Sequence, residues 1–219
     1  MLRQTDVMAV DPDVGPTRTK ATRQDWVDAA LAALESEPID QLRILSLASV
    51  LNVSRSSFYW YFQDPDELRN ELLAMWHHNT TAIVDRAERP APSIVSSCLG
   101  VFECWADSRL YHATLDLSIR EWGRRDGRIA DLVTGADRDR LEALVEMFLR
   151  HDFEAMDARV RARMLYHSQV GYYAVNTHES IAERLRLLPT YLVAMTGQEG
   201  TKAEIGAFRR HLARRISLD

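Results

Sequence analysis

From Thr22 onward, apolar residues recur three and four positions apart along almost the whole chain. No stretch alternates apolar with polar residues for long enough to make a strand. That pattern confines the chain to packed helices. Glycine and proline agree with it. They number 9 and 7 in 219 residues, well below a combined share of roughly 12%. Turn-rich β folds, collagen-like chains and disordered chains are disfavoured. Apolar residues make up 46%, enough for a real core. Two cysteines, Cys98 and Cys104, build neither a disulfide scaffold nor a four-cysteine zinc site. No run approaches the ~18 apolar residues of a membrane span, and the first residues carry no secretory leader pattern. The expectation is a cytoplasmic, all-α protein with no membrane contact and no cofactor or metal.

Boundary signals divide that pattern into helices. Residues 1–17, with Asp11, Pro12, Asp13, Gly15 and Pro16, read as a flexible arm. Thr22 with Asp25 opens a first helix that ends before Pro38. Ile44, Leu47, Ala48 and Leu51 predict a second helix of about two turns. Asn52 follows where a left-handed residue commonly ends a helix. Ser54 then suits the cap of a short helix over 55–62. Asp64, Pro65 and Glu67 start a fourth helix that runs to Glu88. At 1.5 Å per residue it is a rod of about 36 Å. Further helices are expected near 93–106, 109–123, 127–150, 155–176, 179–195 and 202–216.

The informative stretch is 44–62. Two short helices joined by Asn52-Val53-Ser54 match a helix-turn-helix. Leu47, Ala48, Leu51, Val53, Phe58 and Phe62 make its small core. Arg55, Ser56, Ser57, Tyr59 and Trp60 are left on or near the outer face of the second helix. In this architecture that helix enters the DNA major groove with its N-terminal residues against base edges. Arg55 can donate in bidentate fashion to a guanine. Ser54, Ser57, Tyr59 and the helix start can bind phosphate. Arg18, Lys20 and Arg23 read either as a basic arm or as a solvated tail. Overall charge lends no help: the net charge is −5, and residues 1–75 hold seven basic and twelve acidic groups.

The run Leu51-Asn52-Val53-Ser54-Arg55-Ser56-Ser57-Phe58-Tyr59-Trp60-Tyr61-Phe62, followed by Asp64-Pro65-Asp66-Glu67-Leu68, resembles the DNA-binding domain of tetracycline-repressor (TetR) family regulators. The resemblance spans about Thr22 to Leu73. It implies a three-helix DNA-binding domain, here 18–73, joined by a long helix to a C-terminal helical ligand-binding and dimerisation domain, here 74–219. It further implies a homodimer, a palindromic double-stranded operator, and a small-molecule effector that shifts the long helix and releases DNA. Ser54, Arg55, Ser56, Ser57, Tyr59 and Trp60 occupy the recognition positions. Four positions depart from the family's habit. Asn52 stands for Gly, Tyr61 for His and Pro65 for a phosphate-touching Lys. Arg43 stands for the Thr that opens the second helix, and offers a phosphate contact of its own.

The C-terminal part gives weaker signals. Trp76, Phe102, Trp105, Trp122, Phe148, Tyr166 and Tyr173 are the candidate effector-lining aromatics, with core packing as the competing role. His112 and Asp116 lie one turn apart and can share a metal, although a surface pair is the simpler reading. Arg159, Arg161, Arg163, Arg209, Arg210, Arg214 and Arg215 read as solvated faces. The helices 155–176 and 179–195 are the expected dimer interface, with Ala162, Gly171 and Ala174 permitting close approach. Phosphate-binding glycine loops, HExxH, GxSxG and Glu-x-x-His are missing, which disfavours an enzyme. A small-molecule-binding or enzymatic helical domain with a non-reading helix-turn-helix is the alternative.

Overall fold

The computed structural model describes residues 20–175, 177 and 179–216. The expected arm, 1–17, and Arg18 lie outside them. Among the described residues the fold is nine α-helices without a strand: α1 Arg23–Ala33, α2 Ile44–Val50, α3 Pro65–Glu88, α4 Ile94–Ala106, α5 Ala113–Gly123, α6 Gly127–Leu149, α7 Ala155–Ala174, α8 Ile181–Thr196 and α9 Lys202–Ala213. No helix among them is long and apolar enough to cross a membrane.

The helix starts follow from the side chains that cap them. Thr22 and Asp25 form a reciprocal capping box on α1, Ser180 with Glu183 on α8, and Thr201 with Glu204 on α9. Each satisfies N–H groups that a helix start leaves bare. Asp64 caps α3 ahead of Pro65. The fifth helix begins at Ala113 rather than 109. Asp107 is fully buried, and its carboxylate holds Arg109 in a turn. His112 then supplies the cap, its Nδ1 accepting from the Leu115 N–H at 3.2 Å.

Two apolar cores are joined by α3. One holds Trp26, Phe58, Phe62, Leu68, Leu72 and Trp76 together with Leu115, Ile119, Ile129 and Ala136. The first three helices therefore pack on α5 and α6, and their core is not confined to 18–73. An exposed pair, Arg125 with Asp40 at 2.8 Å, braces the same junction. The other core gathers α4, α7, α8 and α9 around Ile83, Ala87, Leu144, Phe148 and Tyr166. Leu68, Leu72 and Trp76 of α3 belong to the first core, and Ile83 and Ala87 to the second. The rod expected from sequence spans both.

Arg161 and Arg209, expected on solvated faces, hold carbonyls that helix ends or breaks leave free, and Arg150 does the same. Pro189 sits inside α8 and cannot donate to the Leu185 carbonyl. Arg209 of α9 does so instead, at 2.9 Å. Arg161 donates to the Met195 carbonyl at 2.8 Å, and Arg150 to that of Ala87 near the end of α3.

Candidate nucleic-acid interface and effector cavity

Asn52 carries φ of 51°, the left-handed turn that Asn tolerates. It ends α2 and redirects the chain. The next segment, Arg55–Trp60, is a 3-10 helix of six residues, shorter and tighter than the α-helix expected over 55–62. Phe58 fixes its orientation. It is fully buried, meets Trp26 edge-on at 5.2 Å and stacks on Phe62 at 4.8 Å. Arg23 clamps the far end. Its guanidinium lies over Phe62 at 4.3 Å, donates to the Tyr61 carbonyl at 2.5 Å and pairs with Glu67 and Glu71. Arg23 is thus a structural clamp and not part of a basic arm.

With that scaffold set, Arg43, Ser54, Arg55, Ser56, Tyr59 and Trp60 are exposed. Trp60 is 65% accessible, unusual for so large an apolar group without a partner. Lys20 stands 6.0 Å from its ring. Arg55 donates to the Tyr59 hydroxyl at 3.2 Å. Ser57 departs from expectation. It is buried, its hydroxyl donating to the Ser54 carbonyl at 2.7 Å, because the 3-10 geometry turns position 57 inward. Ser54 bonds Ser56 and makes no side-chain cap.

The local charge differs from the sum over residues 1–75. Glu67 and Glu71 are paired with Arg23, and Asp66 with Arg69. Asp25 is engaged in its cap, and the Thr22 backbone N–H and hydroxyl hold its carboxyl below the usual range. Lys20, Arg43 and Arg55 have no ion-pair partner among the described residues.

Deeper in the molecule, α3, α5, α6 and α7 meet on a buried charged cluster. Arg140 has no accessible surface. It donates to Asp116 at 3.1 Å, to the Tyr166 hydroxyl at 2.8 Å and to Thr80 at 2.9 Å. Arg120 donates to Asp116 at 2.7 Å and to both oxygens of Asp137. Trp76 donates to Asp116 at 2.7 Å. Burial opposes charge on Asp116, but Arg140 and Arg120 outweigh it and hold the carboxyl below its ordinary range. Burial pushes the Tyr166 phenol up to about 12. Asp116 is thus held by Arg140, Arg120 and Trp76, and His112 by its cap. No metal-holding cluster of three or more ligating side chains occurs among the described residues.

A cavity of about 110 Å³ lies between α4, α7 and α8, walled by Phe102, Trp105, Leu165, Leu188, Leu192 and Met195, with Arg184 and Gln169 as polar walls. Of the aromatics nominated from sequence, Phe102 and Trp105 line it. The others lie elsewhere. Trp76 and Tyr166 belong to the charged cluster, and Phe148 is sealed in the core beside Phe153. Trp122 packs against the first core. Tyr173 backs the cavity, its hydroxyl donating to the Trp105 carbonyl at 2.7 Å. Sequence reasoning missed Arg184 and Gln169. An arginine at a buried position of an amphipathic helix was the available signal. Cys98 also lines the cavity, and burial lifts its thiol to about 12.

The chain superposes on the solved structure of Salmonella enterica GusR with a TM-score of 0.51 at 13% identity, covering 88% of this chain and 93% of that one. The fold is that of the TetR-family transcriptional regulators. A tetR-family regulator from Streptomyces coelicolor aligns over 90% of both chains at 17% identity, with a TM-score of 0.47. In sequence, the chain is 32% identical over 59 residues to the probable acrEF/envCD operon repressor of Escherichia coli K12. That match spans 25% of this chain and 27% of the repressor. No protein-family model matches the chain. The 3-10 segment Arg55–Trp60 stands where the sequence places the second helix of the helix-turn-helix, and α3 where it places the long fourth helix.

Proposed function

We propose that this chain is a ligand-responsive, homodimeric transcriptional repressor that reads a palindromic DNA operator. The observation that carries the reading is the exposed set Arg43, Arg55, Tyr59 and Trp60, held outward by the buried Phe58 anchor and, among the described residues, without acidic partners. Arg55 is the base-reading group, and Arg43, Ser54, Ser56, Tyr59 and Trp60 set the register on phosphate and sugar. A two-fold dimer places two such segments ~34–36 Å apart, or a multiple of that.

Dimerisation is assigned to the outer faces of α7 and α8. Met156, Val160 and Met164 form an exposed apolar stripe on α7, Val175 is exposed at its C-cap, and Leu187, Tyr191 and Val193 are exposed on α8. The opposite face of α7 packs inward through Ala158, Ala162, Leu165 and Tyr166. Ala162 is therefore a core residue, while Gly171 and Ala174 keep some exposure.

The effector cavity connects to the reading head through α7. Leu165 and Gln169 face the cavity, and Tyr166 joins the charged cluster that holds Trp76 and Thr80 of α3. A ligand that favours a shifted α7 changes the population of α3 positions, and with it the spacing of the two heads.

The test is fluorescence anisotropy with DNA from upstream of the chain's own gene and scrambled DNA of equal length, at two salt concentrations. The expected result is salt-sensitive binding with a preference of about 10³ or more for the native DNA. Arg55→Ala should lose that preference while keeping fold and dimer. Failure to enrich any site from random DNA would overturn the reading.

A further inference from the structure

The cavity holds one feature that the regulator reading leaves unused: a buried guanidinium without a counter-ion. Arg184 is 8% exposed and no carboxylate pairs with it among the described residues. Nη1 donates to the Trp105 carbonyl and Nη2 to Gln169 Oε1, both at 3.2 Å. Three of its five N–H donors therefore have no partner among the described residues. The charge rests on aromatic faces instead, with Tyr172 at 4.7 Å, Phe102 at 5.1 Å and Tyr173 at 5.9 Å. Cation–π contact supports a cation but does not neutralise it. Gln169 adds a second unused donor. Its Oε1 faces Arg184, and its Nε2 is buried without a hydrogen-bond partner among the described residues. Both side chains line the cavity. The one acidic lining residue, Glu179, is exposed at the rim and accepts from the Tyr172 hydroxyl at 3.3 Å.

We propose that the cavity binds a small organic carboxylate with an apolar body of about one ring, its carboxylate held by the Arg184 guanidinium and the Gln169 amide. The inference deepens the effector-cavity reading and rests on it. A planar fork of donors matches a carboxylate. A buried charge without a partner is costly, and an anionic ligand removes that cost on binding. The walls Phe102, Trp105, Leu165, Leu188 and Leu192 take the apolar body. A volume of about 110 Å³ compares with roughly 150 Å³ in an engineered apolar cavity that accepts benzene, which sets the body near a single ring.

The experiment is calorimetric titration of the full chain without DNA. The probes are benzoate, phenylacetate and 4-phenylbutyrate, each against its amide, with phenethylammonium as the cationic control. At least one acid should bind more tightly than about 1 mM and at least about tenfold more tightly than its amide. Arg184→Gln should bring that acid down to the level of the amide, and Arg184→Lys should retain part of the preference. If Arg184→Gln fails to fold, the acid-to-amide ratio of the unaltered protein decides. The proposal is overturned if no acid binds below that limit, if acid and amide bind alike, or if the ammonium binds best, which would make Glu179 the recognising group. Because DNA is absent, the outcome is independent of the operator test. Acid binding without any operator would leave this inference standing and remove the regulator.

Discussion

Two buried arginines, Arg140 of α6 and Arg184 of α8, each donate to a side chain of α7, and they are treated in opposite ways. Arg140, where α3, α5, α6 and α7 meet, has Asp116 at 3.1 Å, Tyr166 at 2.8 Å and Thr80 at 2.9 Å. Arg184, between α4, α7 and α8, has a carbonyl and an amide oxygen but no anion among the described residues. Desolvating an ion costs several kcal/mol in either place. In the charged cluster the fold itself supplies the compensation. In the cavity it supplies aromatic faces and open volume. The first arrangement fixes how helices sit against each other, and the second leaves a charge available to a ligand. Burial alone therefore does not tell a structural charge from a binding one. The partner set does.

The sharpest way to break this comparison is to remove each arginine. Arg140→Met leaves Asp116 buried with only Arg120 as an ionic partner and should cost about 3–5 kcal/mol in urea denaturation. Arg184→Met strands no carboxylate and should cost about 1 kcal/mol, as for a lost neutral hydrogen bond. Equal losses would mean that the two sites are equivalent and that the cavity charge is structural.

Next in size is Tyr166→Phe. It removes the hydroxyl that links Asp137 at 2.6 Å to both arginines, and should cost about 1–3 kcal/mol. It should also weaken the effect of the effector on DNA affinity while leaving each ligand's own binding in place. Full coupling in this variant would take Tyr166 out of the route between cavity and head.

Acid should loosen the cavity side in a defined way. Glu204 accepts from Ser93 and Ser96 of the α4 start and from Thr201 of its own cap, and these bonds lower its carboxyl to about 2. A depressed folded pKa gives stability that is present above the unfolded value near 4.5 and is lost as pH falls toward 2. The melting temperature should drop over that window, and Glu204→Gln should flatten part of the slope. An unchanged slope would show that α9 does not brace α4 through this carboxylate.

The smallest effect tests the turn at Asn52, which has no part in either charged region. Asn52→Gly keeps the left-handed turn and should change stability by only a few tenths of a kcal/mol, whereas Asn52→Val should cost about 1–2 kcal/mol. Neither should alter carboxylate binding at Arg184. A shift there would reveal coupling that bypasses α7.

Most helix boundaries were legible because they are local. Thr22 with Asp25, Asp64 with Pro65, and Asn52 act within one turn of chain, and each stands in the structure where the sequence places it. The departures have tertiary causes. The second helix of the helix-turn-helix tightens to a 3-10 segment, and Ser57 turns inward as Phe58 is drawn between Trp26 and Phe62. The fifth helix starts late because the buried Asp107 holds Arg109 in a turn. Arg161 and Arg209 looked solvated because the carbonyls they hold, those of Met195 and Leu185, lie 34 and 24 residues away.

The sequence by itself determined a helical pattern, its punctuation, and the bounds of the segment between Asn52 and Asp64. Those depend on propensity, capping and apolar period, all of which act within a few residues. Only the tertiary structure decided which aromatics are core and which face a cavity. Trp76, Phe148 and Tyr166 cannot be told from Phe102 and Trp105 by spacing. Tertiary packing alone also set Arg140 against two carboxylates and left Arg184 without one among the described residues. Whether a buried charge is neutralised depends on groups brought together from distant helices, and helical period carries no record of that.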